Sequence, residues 1–120
     1  MNYTKQTVNG EQVSILANTH FTSISKKVAK SIASSNLIKA GTIINADGTV
    51  LANGTESASI TKPVLGMVLY EVNVANEVGD NVVIPVLTHG TVVEKTAQKL
   101  SGGTAYSADV KKALPQILFV

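Results

Sequence analysis

The chain has 120 residues, a net charge of +2 and only 15% charged residues, which fits a single domain and argues against a nucleic-acid partner. All ten basic residues are lysine, so the planar guanidinium that recognises phosphates and bases is absent, and the lack of cysteine excludes disulfides and thiolate metal sites. No stretch approaches the roughly 20 apolar residues of a membrane span and the polar start lacks a signal-peptide core, so we expect no membrane partner and synthesis in the cytoplasm.

The first seventeen residues predict an N-terminal hairpin or an arm. Asn9-Gly10 is a dipeptide favoured in type I′ turns, and it separates Asn2–Val8 from Glu11–Ala17. Asn2–Val8 holds few apolar residues, so it equally fits an arm that orders only on a partner. Both interpretations stay open at this point, and we expect residues 1–120 to form one domain.

The segment 23–36 fits two kinds of element. Ile24, Val28 and Ile32 lie four residues apart, which would place them on one stripe of a short helix. The same β-branched residues, interrupted by lysines and followed by Ser-Ser-Asn, fit an edge strand that charge protects from aggregation. We favour the edge strand.

Lysine is concentrated around this segment. The interval between Glu11 and Asp47 holds no carboxylate and four lysines, Lys26, Lys27, Lys30 and Lys39. Such a cluster either faces an acidic partner or forms a solvated face, and both interpretations stay open.

Leu37–Leu51 predicts a hairpin. Its two apolar halves flank Asn45-Ala46-Asp47-Gly48, which places Asp and Gly where a tight turn requires them. Ala52–Pro63 is a polar loop of small residues.

The next segment, Gly66–Val93, predicts the β core. Met67–Val74 and Val82–Leu87 are apolar, β-branched runs around the polar turn Ala75–Asn81, and Thr91–Val93 forms a third run. Runs that are apolar on both faces must be covered on both faces. Pro85 lacks the N–H of a ladder bond, so we expect Val82–Leu87 to be an edge strand or to carry a bulge.

The C-terminal quarter changes pattern. Glu94–Leu100 predicts a helical turn that Ser101-Gly102-Gly103 ends, and Ser107–Leu114 predicts a short helix capped by Ser107. In that second helix an acid lies in the first turn and two lysines near the end, as the helix dipole favours. Residues 116–120 predict an apolar terminal strand, which we expect to be buried in the sheet or at a subunit contact.

No pattern of catalytic residues is present. His20 and His89 lack a second ligand at helical or hairpin spacing, so we expect structural roles for both. Glu77 and Asp80 are more typical of a solvated turn than of a calcium site. Without a nucleophile elbow or a phosphate-binding loop, we expect a protein that is not an enzyme and needs no cofactor or metal.

Four short motifs follow one another in a fixed order: Lys39-Ala40-Gly41-Thr42 with Ile43-Ile44, the turn Asp47-Gly48 with Val50, Gly66–Val72, and Val83–Val92. Their order and spacing resemble those of the capsid decoration proteins of tailed bacteriophages, the family of the head-stabilising protein of phage lambda. The resemblance covers about residues 37–93, and the sequence departs from the family at Glu71 and Pro85.

The resemblance implies a mainly β protein, a small β-barrel or sandwich with a short C-terminal helix and a terminal strand. It implies a homotrimer on the outer surface of the expanded capsid, which clamps neighbouring major capsid subunits. The expected capsid contacts are Asn2, Tyr3, Thr4, Lys5, Lys26, Lys27 and Lys30. The main alternative is another structural virion part, a head-fibre base or a tail or baseplate module; a ligand-binding β-barrel is a further class.

Overall fold

The computed structural model describes residues 14–120. They form a mainly β structure with an antiparallel sheet and two helices. The strands are β1 (Thr22–Ala29), β2 (Leu37–Ile38), β3 (Ile43–Asn45), β4 (Val50–Leu51), β5 (Val64–Val68), β6 (Val72–Asn73), β7 (Asn81–Val92) and β8 (Ile117–Phe119), the helices are α1 (Glu94–Leu100) and α2 (Ala108–Lys112), and short 3₁₀ turns span Lys30–Ile32 and Ser57–Ser59.

The main sheet is built around β7. Its strand order is β1-β7-β5-β3-β4, with β8 parallel to the C-terminal part of β7, while β2 and β6 form a separate two-stranded sheet. Two runs predicted as separate strands, Val82–Leu87 and Thr91–Val93, are therefore one strand. His89 and Gly90 stay extended because each has a strand partner, Thr22 and Ile117 respectively, and a register shift between Thr22 and Ser23 absorbs the irregularity.

Pro85 lies in an interior strand, so the predicted edge position is wrong. β7 does have a register shift against β1, but it lies between Leu87 and His89, opposite Thr22 and Ser23, and not at Pro85. The Pro85 carbonyl accepts a hydrogen bond from the Leu69 N–H at 3.0 Å. In an antiparallel strand the N and C=O of one residue point to the same side, so the proline nitrogen also points toward β5. Because the proline nitrogen points toward β5, its missing N–H removes no hydrogen bond to β1. On the other side, the pairing of β5 with β7 ends at Val68.

The predicted run Met67–Val74 is split between the two sheets. β5 ends at Val68 and β6 begins at Val72, so the alternation through Tyr70 does not form one strand. Val68 and Val74 nevertheless reach the same buried cluster, and the bend between them leaves Tyr70 exposed.

Both faces of the main sheet are covered, as we predicted from strands that carry apolar residues on both faces. Adjacent residues enter different buried clusters, which the pairs Ile43/Ile44, Met67/Val68 and Val86/Leu87 show. One cluster contains Ala97 and Val110 from the helices, and the other contains Ile38 and Val74 beside the small sheet.

No closed barrel is found in residues 14–120, which corrects the barrel expectation, and there are two helices where one was expected. The sheet does curl, because the β3–β4 turn reaches the far edge strand. A Cβ placed on Gly48 would lie 3.6 Å from Val28 Cγ1 and 3.7 Å from the Lys27 carbonyl oxygen. The two edges of the sheet thus approach each other without pairing as strands.

The predictions for β1 and the hairpin are largely confirmed. The segment 23–36 begins within the edge strand β1, which starts one residue earlier at Thr22, and the helix alternative is wrong. β3 pairs with β4 around the turn at Asn45–Gly48, but Leu37-Ile38 leaves the predicted hairpin and pairs with β6.

Both ends of the described chain lie along β7. The arm of the N-terminal hairpin, residues 2–13, lies outside the described residues; Ile15 is buried and Leu16 bridges Val92.

α1 has the predicted bounds, and Ser107 caps α2 by accepting a hydrogen bond from the Val110 N–H. The terminal strand is confirmed as β8, with Ile117 buried.

Candidate functional site

The seven residues expected to contact a capsid fall into two groups. Asn2, Tyr3, Thr4 and Lys5 lie outside the described residues. The other three, Lys26, Lys27 and Lys30, lie on β1 and on the 3₁₀ turn that follows it. The described part of the candidate site is therefore the edge strand and its surroundings.

Lys26 and Lys27 lie on opposite faces of β1. Side chains alternate along a strand, and Val28 marks the face that packs into the core. Lys26 shares that face and is half-buried, and its Cε would lie 3.9 Å from a Cβ built on Gly48. Lys27 is exposed on the other face, so the three lysines do not make one flat patch.

Lys30 is attached to the loop before β7. Its N–H donates to the Asp80 carbonyl at 2.9 Å, and its Nζ donates to the Glu77 carbonyl at 2.7 Å. Sequence reasoning missed this role, because the two carbonyls lie about fifty positions further along the chain and only the fold brings them to Lys30. The lysine joins β1 to the loop and keeps its charge beside the strand.

The outer edge of β1 carries backbone groups that point away from the sheet. In an antiparallel pair, the backbone N–H and C=O groups of every second residue point toward the partner strand. Because the Lys30 N–H bonds to the Asp80 carbonyl, the backbone groups of the even-numbered residues of β1 are the ones that point toward β7. The N–H and C=O groups of Ser23, Ser25, Lys27 and Ala29 therefore point outward. No strand within residues 14–120 pairs with this edge, although the β3–β4 turn lies beside the Lys27 carbonyl.

Apolar side chains are exposed near both ends of the sheet. Ile24 and Phe21 are partly exposed at the start of β1, and Val83 is 60% exposed on β7. At the C-terminus, Leu118 is 62% exposed and Val120 is similar, so the expected burial of the terminal strand holds for Ile117 and not for these two.

The β3–β4 turn is held by a charged side chain. The Thr49 hydroxyl donates to Asp47 Oδ1 at 2.6 Å, and Lys62 Nζ lies 2.9 Å from Asp47 Oδ2. The Thr49 hydrogen bonds and the Lys62 ammonium hold the pKa of the Asp47 carboxyl well below its usual value. Asp47 is thus a turn residue, and Gly48, which follows it, lies beside β1.

Candidate reactive residues are dispersed. His20 and His89 are both exposed, and residues 14–120 contain no group of three His, Asp or Glu side chains arranged to hold a metal ion. No helix in that range is long and apolar enough to cross a membrane.

One surface groove has a volume of about 340 Å³. It lies between β2, β4 and the end of α1, and Leu37, Leu51 and Asn53 contribute to its walls together with Lys39. The Asn53 amide donates to Ser101 Oγ and to the Thr104 carbonyl, which joins the groove wall to the loop after α1.

Comparisons with known proteins give no relative for this chain. A scan against protein-family models, a search of curated proteins and a search of solved structures each returned no match.

Proposed function

We propose that this chain is a structural virion protein that binds the outer surface of the expanded phage capsid and clamps neighbouring major capsid subunits. The observation that carries the proposal is the ordered set of decoration-protein motifs in residues 37–93. In the fold the first motif directly precedes β3, the second lies in the β3–β4 turn, the third runs from β5 to the start of β6, and the fourth lies in β7.

The proposal includes a decoration-type fold and a homotrimer. The curled sheet, whose β3–β4 turn approaches β1, supports comparison with a small β-sandwich. An exposed apolar C-terminus, with Leu118 62% exposed, gives a surface that a neighbouring subunit would cover. No catalytic role, cofactor, nucleic acid or membrane is part of the proposal.

Attachment is assigned to the N-terminal arm and the lysines of β1. In this hypothesis Asn2–Val8 adds as a strand to an edge on the capsid protein, and backbone hydrogen bonds supply most of the contact. Lys26, Lys27 and Lys30 add electrostatic attraction, which accelerates encounter with an acidic surface.

The experiment is co-sedimentation with heads assembled from the cognate major capsid protein. We expect the protein to pellet with expanded heads and not with unexpanded heads, and deletion of residues 2–9 to reduce binding at least tenfold. Circular dichroism of the deletion variant checks that the sheet is retained.

Two outcomes would contradict these proposals separately. Binding to purified tails or to fibre chains, without binding to expanded heads, would favour the alternative of a head-fibre base or a tail or baseplate module. Unchanged head binding after deletion of residues 2–9 would refute the arm hypothesis and leave capsid decoration intact.

A further inference from the structure

We propose that the open part of the β1 edge, Ser23–Ser25, accepts an extended acidic segment of a partner protein as an additional strand. The identification of that partner with the capsid rests on the proposed function. The recognition chemistry rests on the backbone groups and charges of this chain alone.

The first argument is the set of free backbone groups. Ser23 and Ser25 point their N–H and C=O groups away from β7, and no strand within residues 14–120 reaches them. Further along β1 the β3–β4 turn lies beside the Lys27 carbonyl, which ends the accessible stretch. An added strand would satisfy these groups with ladder hydrogen bonds, the mode in which extended peptides join sheet edges.

The second argument is the charge beside those groups. Lys26 and Lys27 follow directly on the open stretch, one on each face of the strand, and neither forms an ion pair within the described residues. Lys30 adds a third positive charge, because its ammonium binds the Glu77 carbonyl and not a carboxylate. Adjacent acidic residues on an added strand project to opposite faces, so one would approach Lys26 and the next Lys27.

The same features favour a different protein over a second copy of this chain. Two β1 edges side by side would bring four lysines together with no carboxylate from either strand. Lysines on an edge strand are a usual means of preventing such self-association. Ile24, 43% exposed between the two serines, gives an apolar contact for a residue of the incoming strand.

The direct test uses the full chain and a synthetic peptide. The peptide has eight residues, alternates threonine and valine, and carries two adjacent glutamates; its control carries two lysines in their place. In ¹H–¹⁵N spectra we expect the glutamate peptide to shift the amides of Ser23, Ser25 and Lys27 and to slow their hydrogen exchange, and to bind at least tenfold more tightly than the control.

Charge-reversal variants test the role of the lysines. We expect Lys26→Glu/Lys27→Glu to weaken binding of the glutamate peptide at least tenfold. The matched control Lys95→Glu/Lys99→Glu changes the net charge equally on exposed residues of α1 and should bind within twofold of the unmodified chain. Ser25→Pro removes an outward N–H without removing a bond to β7, and it should also weaken binding.

Several outcomes overturn the inference. These are equal binding of the lysine peptide, shifts outside β1, slow exchange of the Ser23 and Ser25 amides in the free chain, and self-association through β1 in sedimentation velocity. Head binding separates the two proposals: if the unmodified chain fails to bind expanded heads, the proposed function fails while the peptide result still decides this inference. If both charge-reversal variants bind heads equally, capsid decoration stands and the capsid is not the partner of the β1 edge, while the peptide result decides whether that edge accepts an acidic strand.

Discussion

Tyr106 shows how a single residue connects distant parts of the chain. Its hydroxyl donates to the Gly41 carbonyl at 2.7 Å, and its ring centroid lies 5.3 Å from that of Phe119 in β8. Gly41 has a positive φ of 87°, and a Cβ there would lie 2.6 Å from the Ala97 carbonyl oxygen, so only glycine fits between this tyrosine and α1. The glycine of the predicted Ala-Gly-Thr motif is therefore a packing requirement.

The ionisation of Tyr106 gives a pH-dependent prediction. Burial raises its pKa to about 12; the hydrogen bond with Ser101 opposes this rise, and the charge of Glu94 adds to it. A phenol in the unfolded chain titrates near 10, so between about pH 10 and 12 only the unfolded state loses its proton, and stability falls as the pH rises. By pH 11.5 we expect a loss of about 1 to 2 kcal/mol from this residue.

The variant Tyr106→Phe lacks the phenol but keeps every lysine. The difference in unfolding free energy between the two proteins therefore isolates the pH dependence that comes from Tyr106. The variant should be less stable near neutral pH, by about 1–3 kcal/mol, because the buried Gly41 carbonyl loses its donor. Urea denaturation at pH 8 and pH 11.5 should show the difference narrowing as the pH rises. A constant difference across that interval would show that the phenol titrates alike in both states.

At the scale of elements, the close approach of β5 to β7 explains a second motif glycine. Gly66 is buried, and a Cβ there would collide with the Leu87 carbonyl oxygen and lie 3.0 Å from Val86 Cγ1. The obstacle is backbone of the central strand, which cannot rotate away as a side chain can. The position of Gly66 thus sets how closely the two strands pack.

Gly66→Ala should therefore destabilise the fold by about 1–3 kcal/mol, the usual cost of overpacking. The matched control is Gly54→Ala, where the added Cβ meets only Thr104 Cγ2, at an ordinary 3.7 Å. That control should stay within about 0.5 kcal/mol of the unmodified chain in thermal or urea unfolding. Equal effects of the two substitutions would contradict the close approach of β5 and β7.

At the scale of the whole molecule, two of the regions that expose apolar residues bear on assembly. One lies near β1 and includes Val83, and the other lies on β8 and includes Leu118. The proposed trimer assigns the β8 region to a subunit contact, while the edge of β1 stays available to a partner.

Leu118→Asp tests this assignment. Because Leu118 is 62% exposed within one chain, the substitution should leave the unfolding free energy of the monomer nearly unchanged and shift sedimentation velocity toward the monomer. The control Val83→Asp changes a strand residue of similar exposure, 60%, and should keep the oligomer. An oligomer that survives Leu118→Asp, whether or not Val83→Asp dissociates it, would remove β8 from the contact.

Local chemistry let the sequence by itself determine several elements. The Ser107 cap of α2, the turn at Asn45–Gly48 and the end of α1 at Ser101 all involve side chains that bond to neighbouring backbone groups. The edge character of β1 was predictable from its lysines, because charge on an edge strand is readable without knowing the neighbouring strand. The need to cover both faces of the β core was also visible in its runs of adjacent apolar residues.

Other features were decided only by the tertiary structure, because they depend on which strand lies alongside. Strand partners hold His89 and Gly90 extended, and the end of β5 at Val68 permits Pro85 inside the sheet. The candidate site has the same origin. Its three lysines are visible in the sequence, but the packing of Val28 into the core decides that Lys26 and not Lys27 lies on the inner face, and a loop about fifty positions away binds Lys30.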